Sequence, residues 1–479
     1  MLLVKSITPK KINGLQLKPT ALSVLFIAFL TACSCSSLMA QDNSPYSRYG
    51  IGDLVPSTNI NSRGMAGISA AYTDYYSINF ANPASYAAFQ GFKEQKSNKL
   101  FSGRAILDVG LNFENRTLTD PNNPVKFKTS NALFSHVQVG VPLRKNWGLS
   151  FGIRPVSRIS YKIGSGERLF DPNTNLPIDS AYTEYNGDGG SYLPNVGTGF
   201  KLFSKQKGGQ EKSYLAVGLN AGYLFGKKDY STRRSLINDT VEYYRGNFEN
   251  RTTYGNLFFN AGLQYRVVLD SVTTLTLGLA GNWQQKLKAR QDIIRETYYF
   301  DNNLGNTQLD SVSIQSNLKG DIQYPSSYTA GFVYERYQHK KKAGWLIGVD
   351  FTQTKWDNYR FYGQKDALKN KWELRVGGHL IPVPTRNYFS KIAYRAGFFT
   401  GPDYVYANNQ NLRQFGGSFG LGLPLANYNR QAINQATYIN LSFEYINRGN
   451  SNNLLKDNLF RFSLGFSLSD IWFMKRKYD

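Results

Sequence analysis

Leu215-Ala216-Val217-Gly218-Leu219-Asn220-Ala221-Gly222-Tyr223-Leu224-Phe225 decides the fold. Leu215, Val217, Leu219, Ala221, Tyr223 and Phe225 alternate with Ala216, Gly218, Asn220 and Gly222. A strand turns successive side chains to opposite faces, so this one has an apolar face and a small or polar face. The pattern returns where Phe460, Phe462, Leu464, Phe466 and Leu468 alternate with Arg461, Ser463, Gly465 and Ser467, and again over 257–266 and 439–445. Such segments run for about 10 to 16 residues, against about 5 to 6 in soluble sandwiches. Trp147, Tyr161, Trp283, Trp345 and Trp372 stand at segment ends, as in the aromatic girdle of a membrane barrel.

Working outward from this pattern, fourteen strands are expected: 104–118, 132–142, 147–163, 191–203, 213–226, 254–269, 273–290, 319–337, 343–359, 369–382, 387–399, 412–425, 436–448 and 457–470. Connections after even-numbered strands are mostly short, as at Leu143 to Asn146 and Asp270 to Val272. Those after odd-numbered strands are mostly longer, as at 164–190, 227–253 and 291–318, and are read as external loops. No strand edge can face lipid unpaired, so the sheet must close. The expectation is an all-β fold: a transmembrane antiparallel β-barrel over 104–470, with residues 41–103 as an N-terminal plug and 471–479 as a basic periplasmic tail.

Composition agrees. No apolar run reaches 18 residues in the 479-residue chain, and mean hydropathy is −0.41, which leaves no candidate for a helical span. The net charge of +23 is spread along the chain, and its tightest clusters, Lys340–Lys342 and Lys475–Lys477, are three residues long. A nucleic-acid binder gathers such charge in patches; anionic lipid headgroups or acidic surface sugars fit the spread charge better. Residues 1–40 read as a signal peptide, with Lys5, Lys10, Lys11 and Lys18 before the apolar stretch Ala21–Ala32. Cleavage after Ala40 and a lipobox at Leu30-Thr31-Ala32-Cys33 both remain open. Cys33 and Cys35 are the chain's two cysteines, so cleavage after Ala40 leaves neither disulfide nor thiolate.

Residues 63–86, RGMAGISAAYTDYYSINFANPASY, resemble the N-terminal hatch of the FadL family of outer-membrane hydrophobic-compound transporters, with Asn82-Pro83-Ala84 as the hatch motif. The family's acidic pair is reduced to Asp74. The stretch 345–362 and Tyr394–Phe398, followed by the glycine-rich strand at 415–423, are similar to the family as well. The resemblance implies a plugged barrel in the outer membrane of a Gram-negative bacterium, taking up hydrophobic small molecules such as long-chain fatty acids. It also implies lateral exit through a kinked third strand, where this chain has Arg154-Pro155. The alternative function is a non-transporting barrel subunit of an outer-membrane secretion or barrel-assembly complex.

Charged residues facing lipid cost about 2 to 4 kcal/mol for Lys or Arg at midplane. His136, Arg266, Glu335, Glu373, Arg375, His379 and Arg395, with Asp108, Asp350, Glu444 and Arg461, are therefore expected to face the lumen. They either bind or conduct, or pair with one another to hold the plug. Ser135 beside His136 forms no known nucleophile motif, and three scattered histidines make a poor metal site, so neither enzyme activity nor a cofactor is expected. The partners expected are outer-membrane lipid, a hydrophobic ligand and an outer-membrane protein complex, with no nucleic acid.

Overall fold

A computed structural model describes residues 44–93, 100–121, 123–207, 210–238, 241, 243–301, 305–407, 409–425, 435–449 and 455–472. The leader with both cysteines lies outside them, as do residues 473–479 of the expected tail 471–479, whose first two residues end the last strand instead. Fourteen antiparallel strands form one closed sheet. They are β1 (Leu100–Asp120), β2 (Asn123–Arg144), β3 (Trp147–Phe170), β4 (Pro177–Lys207), β5 (Gln210–Ile237) and β6 (Arg245–Val268). There follow β7 (Thr273–Asn282 and Gln285–Asp301), β8 (Gly305–Tyr324 and Ser327–Arg336), β9 (Gly344–Thr354), β10 (Lys371–Ile381), β11 (Ala393–Ala407), β12 (Gln410–Leu425), β13 (Ala436–Arg448) and β14 (Lys456–Trp472). β14 pairs with β1 from Trp472–Gly103 to Lys456–Thr119, which shuts the ring.

Both the start of β1 and the end of β14 lie at one rim, the proximal rim, together with the turns after even-numbered strands. At the other, distal rim the expectation of long loops is corrected. Most of 164–190, 227–253 and 291–318 is strand, joined by short connections such as 171–176. β3 to β8 thus rise well beyond β9 to β14. At the distal ends of β3 and β8 both faces meet water, so the alternation that marks a lipid-facing strand fades from the sequence. β9 stops at Thr354 rather than 359, and Trp356 turns inward to stack on Tyr404 with ring centroids 4.7 Å apart. β11 begins at Ala393 rather than 387, because Tyr388–Lys391 form a 3-10 turn.

Alternation places the apolar row of each strand outside. Trp147, Trp283 and Trp372 are exposed on the outer wall, as expected of a girdle. Tyr161 is corrected: it is buried. A register shift between Pro155 and Ser157 inserts one residue, and everything beyond it on β3 changes face.

Residues 44–90 run through the interior of the ring, and Gly91–Lys93 pair antiparallel with the start of β1. Helix α1 (Ile60–Arg63) is capped by Asn59, whose side chain accepts from the Ser62 amide at 3.0 Å. A 3-10 turn, Pro83–Ala88, starts at Asn82 with proline in its first turn. Inward glycines let this segment press on the wall. A Cβ on Gly148, Gly199, Gly218, Gly278, Gly377 or Gly397 would overlap the backbone of Tyr86, Pro83, Pro83, Ala70, Met65 and Met65 respectively. With the contacts of Gly110, Gly140, Gly262, Gly348, Gly420 and Gly465, the inner segment touches twelve of the fourteen strands through glycine alone.

Candidate functional site: the lumen and the β2–β3 seam

The hatch motif is a dock between two backbones. Asn82 is fully buried; its Oδ1 accepts from the Ala84 amide at 3.0 Å. Its Nδ2 donates to the carbonyls of Ala70, Leu263 on β6 and Leu279 on β7 at 2.5, 3.3 and 3.3 Å. Pro83 and Ala84 lie over Gly218 of β5. The other FadL-like stretches meet the same segment: Gly397 abuts Met65 and Ala66, Gly420 abuts Gly64, and the Tyr359 hydroxyl donates to the Gly50 carbonyl at 3.1 Å.

Polar residues on the wall hold this segment or one another. Asp350 accepts from the amides of Ser69 and Ala70 at 2.6 and 2.9 Å, and Asp108 from that of Ile78 at 3.2 Å. Arg461 pairs with Glu114 at 2.6 Å and Glu444 at 3.3 Å. Glu373 pairs with Arg375 at 2.6 Å and Lys371 at 3.0 Å. Arg395 donates to Asn440 at 3.1 Å and opposes His379 in the β10–β11 ladder. Nearer the proximal rim, Arg266 donates to the Tyr337 hydroxyl, which donates to Glu335 at 2.8 Å. His136 lies between Ser135, at 3.1 Å from its Nδ1, and Asp108, at 3.5 Å from its Nε2. This Ser–His–Asp order has no access for a substrate, because Ser135 and His136 are 2% and 0% exposed. Among the described residues, no group of three or more His, Cys, Asp or Glu is placed to hold a metal.

Sequence reading missed Arg63 and a latch around Asp53. Arg63 is buried in α1, and its four hydrogen bonds go to neutral oxygens of Thr58, Asn112, Ser463 and Ser135. Asp53 bridges Arg116 of β1 at 3.3 Å and Arg448 of β13 at 2.7 Å. Arg116 also pairs with Asp457, and Arg448 with Asp403. Burial alone would raise the Asp53 carboxyl, but Arg448 and Arg116 hold it below the usual carboxylate range. These partners are 63 and 395 positions away in the chain, beyond any periodic signal.

The latch stands beside a break in the wall. The β2–β3 ladder runs from Arg144–Trp147 to Val137–Ile153 and stops. Arg154 and Pro155 come next, with the Arg154 guanidinium over the Phe80 ring at 5.7 Å. Distal to them the inner segment takes the place of β2. Asp53 and Leu54 pair with Arg158 and Ser157, the Val55 amide donates to the Val156 carbonyl at 3.0 Å, and the Ser44 amide to the Ser160 carbonyl at 2.8 Å. Gly52 permits this approach: its φ is +105°, and a Cβ there would strike the Arg158 carbonyl. A cavity of about 320 Å³ adjoins the seam, lined by seven Lys or Arg and five Asp or Glu side chains.

A family model described as BamG matches residues 22–479. The chain belongs to the BamG family. Among solved structures, this BamG-family barrel is similar to a FadL homologue of Pseudomonas aeruginosa, at 14% identity over 89% of this chain and 100% of the other, with a TM-score of 0.49. It is similar to the monoaromatic hydrocarbon channel CymD, at 12% identity over 88% and 98% with a TM-score of 0.44. It is also similar to the Pseudomonas putida toluene transporter TodX, at 12% identity over 88% and 99% with a TM-score of 0.44. FadL-type barrels, which the hatch motif resembles, thus stand among the structures this chain is similar to. No curated protein matches it.

Proposed function

We propose that this chain is a filled outer-membrane barrel that works as a structural subunit of an outer-membrane assembly, its short turns periplasmic and its tall β3–β8 sheet outside the cell. The observation that carries this reading is the character of the interior. Pockets for hydrophobic ligands carry only a few polar groups among apolar side chains, whereas the cavity at the seam sets twelve charged side chains among its apolar ones. A hydrocarbon there would strip water from ionic groups and return no hydrogen bonds. The inner segment is fitted to the wall at backbone level, and its removal would break contacts around the whole ring. The distal ends of β4 to β8 keep Ile178, Ile237, Tyr244, Val312 and Ile314 exposed, a surface suited to other proteins. Purification of the tagged barrel from its own membrane in mild detergent is the test. A stable complex of fixed stoichiometry, with no fatty acid bound, is the expected result. A solitary barrel carrying one equivalent of fatty acid would overturn the reading.

The interrupted β2–β3 ladder favours a second reading, uptake of hydrophobic molecules with exit through the wall beside Pro155 once residues 44–55 move aside. Locking the seam with Leu54→Cys and Ser157→Cys separates the two readings. Uptake of a fluorescent fatty acid into proteoliposomes that stops on oxidation and returns on reduction supports this exit. Uptake that is absent, or indifferent to the lock, removes it.

A further inference from the structure

The outward row of β7 changes character within a few residues. Leu275, Leu277, Leu279 and Trp283 face out, and Leu277, Leu279 and Trp283 are each about half exposed, at 48, 53 and 47%. Trp283 stacks on Phe259 of β6 at 6.0 Å, which marks the rim of the lipid-facing band. The strand is interrupted at 283–284, and parity changes there. Beyond the break Lys286, Lys288 and Arg290 are exposed, while Leu287 and Ala289 are buried inside. Same-face residues repeat about every 6.6 Å, so the three cations form a column about 13 Å long. Lys319 of β8 is the ladder partner of Arg290 and is exposed beside it. Asp321, opposite Lys288, lies beyond ion-pair distance, and Asp292 accepts from the Asn317 amide at 2.7 Å. None of the four cationic side chains has a hydrogen-bond or ion-pair partner among the described residues.

We infer that Lys286, Lys288, Arg290 and Lys319 form a binding site for the phosphate groups of the glycolipid in the outer leaflet. The column continues the lipid-facing row of its own strand, directly distal to the aromatic rim. A lipid with acyl chains against Leu277 and Leu279 therefore brings its headgroup to the height of the four cations. The ligand is a phosphorylated lipid rather than a soluble anion, because one strand supplies both the apolar wall and the charges. Basic side chains near a charged membrane surface add up as attractive terms. The site rests on the proposed orientation, with the distal rim outside the cell.

The test uses the full barrel in nanodiscs of phosphatidylethanolamine doped with diphosphoryl lipid A or its dephosphorylated form. Lipid retained after a detergent wash is quantified by mass spectrometry. Wild type should retain the phosphorylated form about tenfold over the dephosphorylated form. The K286Q/K288Q/R290Q variant should lose that preference. A K340Q/K341Q/K342Q control, which removes equal charge from the proximal turn after β8, should keep it. Heat-modifiable migration on gels reports folding of each variant. Equal retention by wild type and the β7 variant overturns the site, as does equal loss in the control. Displacement of the lipid by millimolar inorganic phosphate makes the patch a general anion site and also overturns the proposal. A barrel that will not enter the nanodisc contradicts the membrane reading itself, an outcome distinct from insertion without lipid preference.

Discussion

β9 to β14 and β3 to β8 obey the same hydrogen-bond rules and differ in length for a physical reason. In the first group strands run from 11 to 17 residues, as Gly344–Thr354 and Lys456–Trp472 do. That is about what a tilted strand needs to cross hydrocarbon. Side chains there alternate between the outer wall and the lumen. In the second group, β4 alone has 31 residues and β5 28. The surplus stands in water at the distal rim and still keeps apolar residues such as Val312, at 72% exposure. A bilayer explains the short half; the tall half needs something beyond the bilayer to explain it.

The largest effect that separates the halves comes from the wall against the inner segment. Gly397→Leu on β11 or Gly218→Leu on β5 drives a side chain into the backbone at Met65 or Pro83, and overpacking at backbone level leaves no small adjustment. The expected outcome is loss of the heat-modifiable folded form in both halves alike. A folded Gly397→Leu barrel would break the account of the interior.

Next comes Asp53→Asn, which leaves Arg116 and Arg448 short of one carboxylate. Breaking a buried pair costs about 3 to 5 kcal/mol, and Asp457 and Asp403 remain to limit the loss. Hydrogen exchange should rise in residues 44–55 and little elsewhere. Because the Asp53 carboxyl is held below its ordinary range, its contribution is complete at neutral pH and is lost only as pH falls through that depressed value. Protection factors in 44–55, corrected for the intrinsic rise of amide exchange with pH, should therefore be flat between pH 5 and 8, and a fall within that window would contradict the latch.

Trimming the tall half should cost the barrel least. Replacing 293–315 by a short turn removes the distal β7–β8 hairpin, in which no described residue has a hydrogen bond or ion pair to residues 44–93. The melting temperature should move by only a few degrees, while the protein partners of the proposed assembly are lost. The smallest effect belongs to the exposed Lys227–Asp188 pair: Lys227→Gln should change stability by about 0 to 1 kcal/mol.

The strand count and most proximal strand ends were legible because lipid on one side and a packed interior on the other enforce period two. Distal ends were not, since water on both faces of 164–170 or 309–319 imposes no period. Tyr161 shows how one inserted residue defeats face assignment: Pro155 signals the bulge, but not the number of residues it shifts. Asn82-Pro83-Ala84 was visible as a motif, while its role as a dock to Leu263 and Leu279 depends on neighbours some 180 to 200 positions away. Arg63 and Asp53 carry no local signature; the burial of the first and the pairing of the second are properties of the closed ring.

The encirclement of residues 44–93 has a consequence for how the molecule comes into being. A segment in contact with the full circumference, and pinched by glycines on strand after strand, cannot be threaded into a finished cylinder. It must already be in position when β1 and β14 zip together, so the N-terminal residues act as the mandrel around which the cylinder is wound. Errors in this short stretch would then surface as failures of biogenesis long before they could affect any later task.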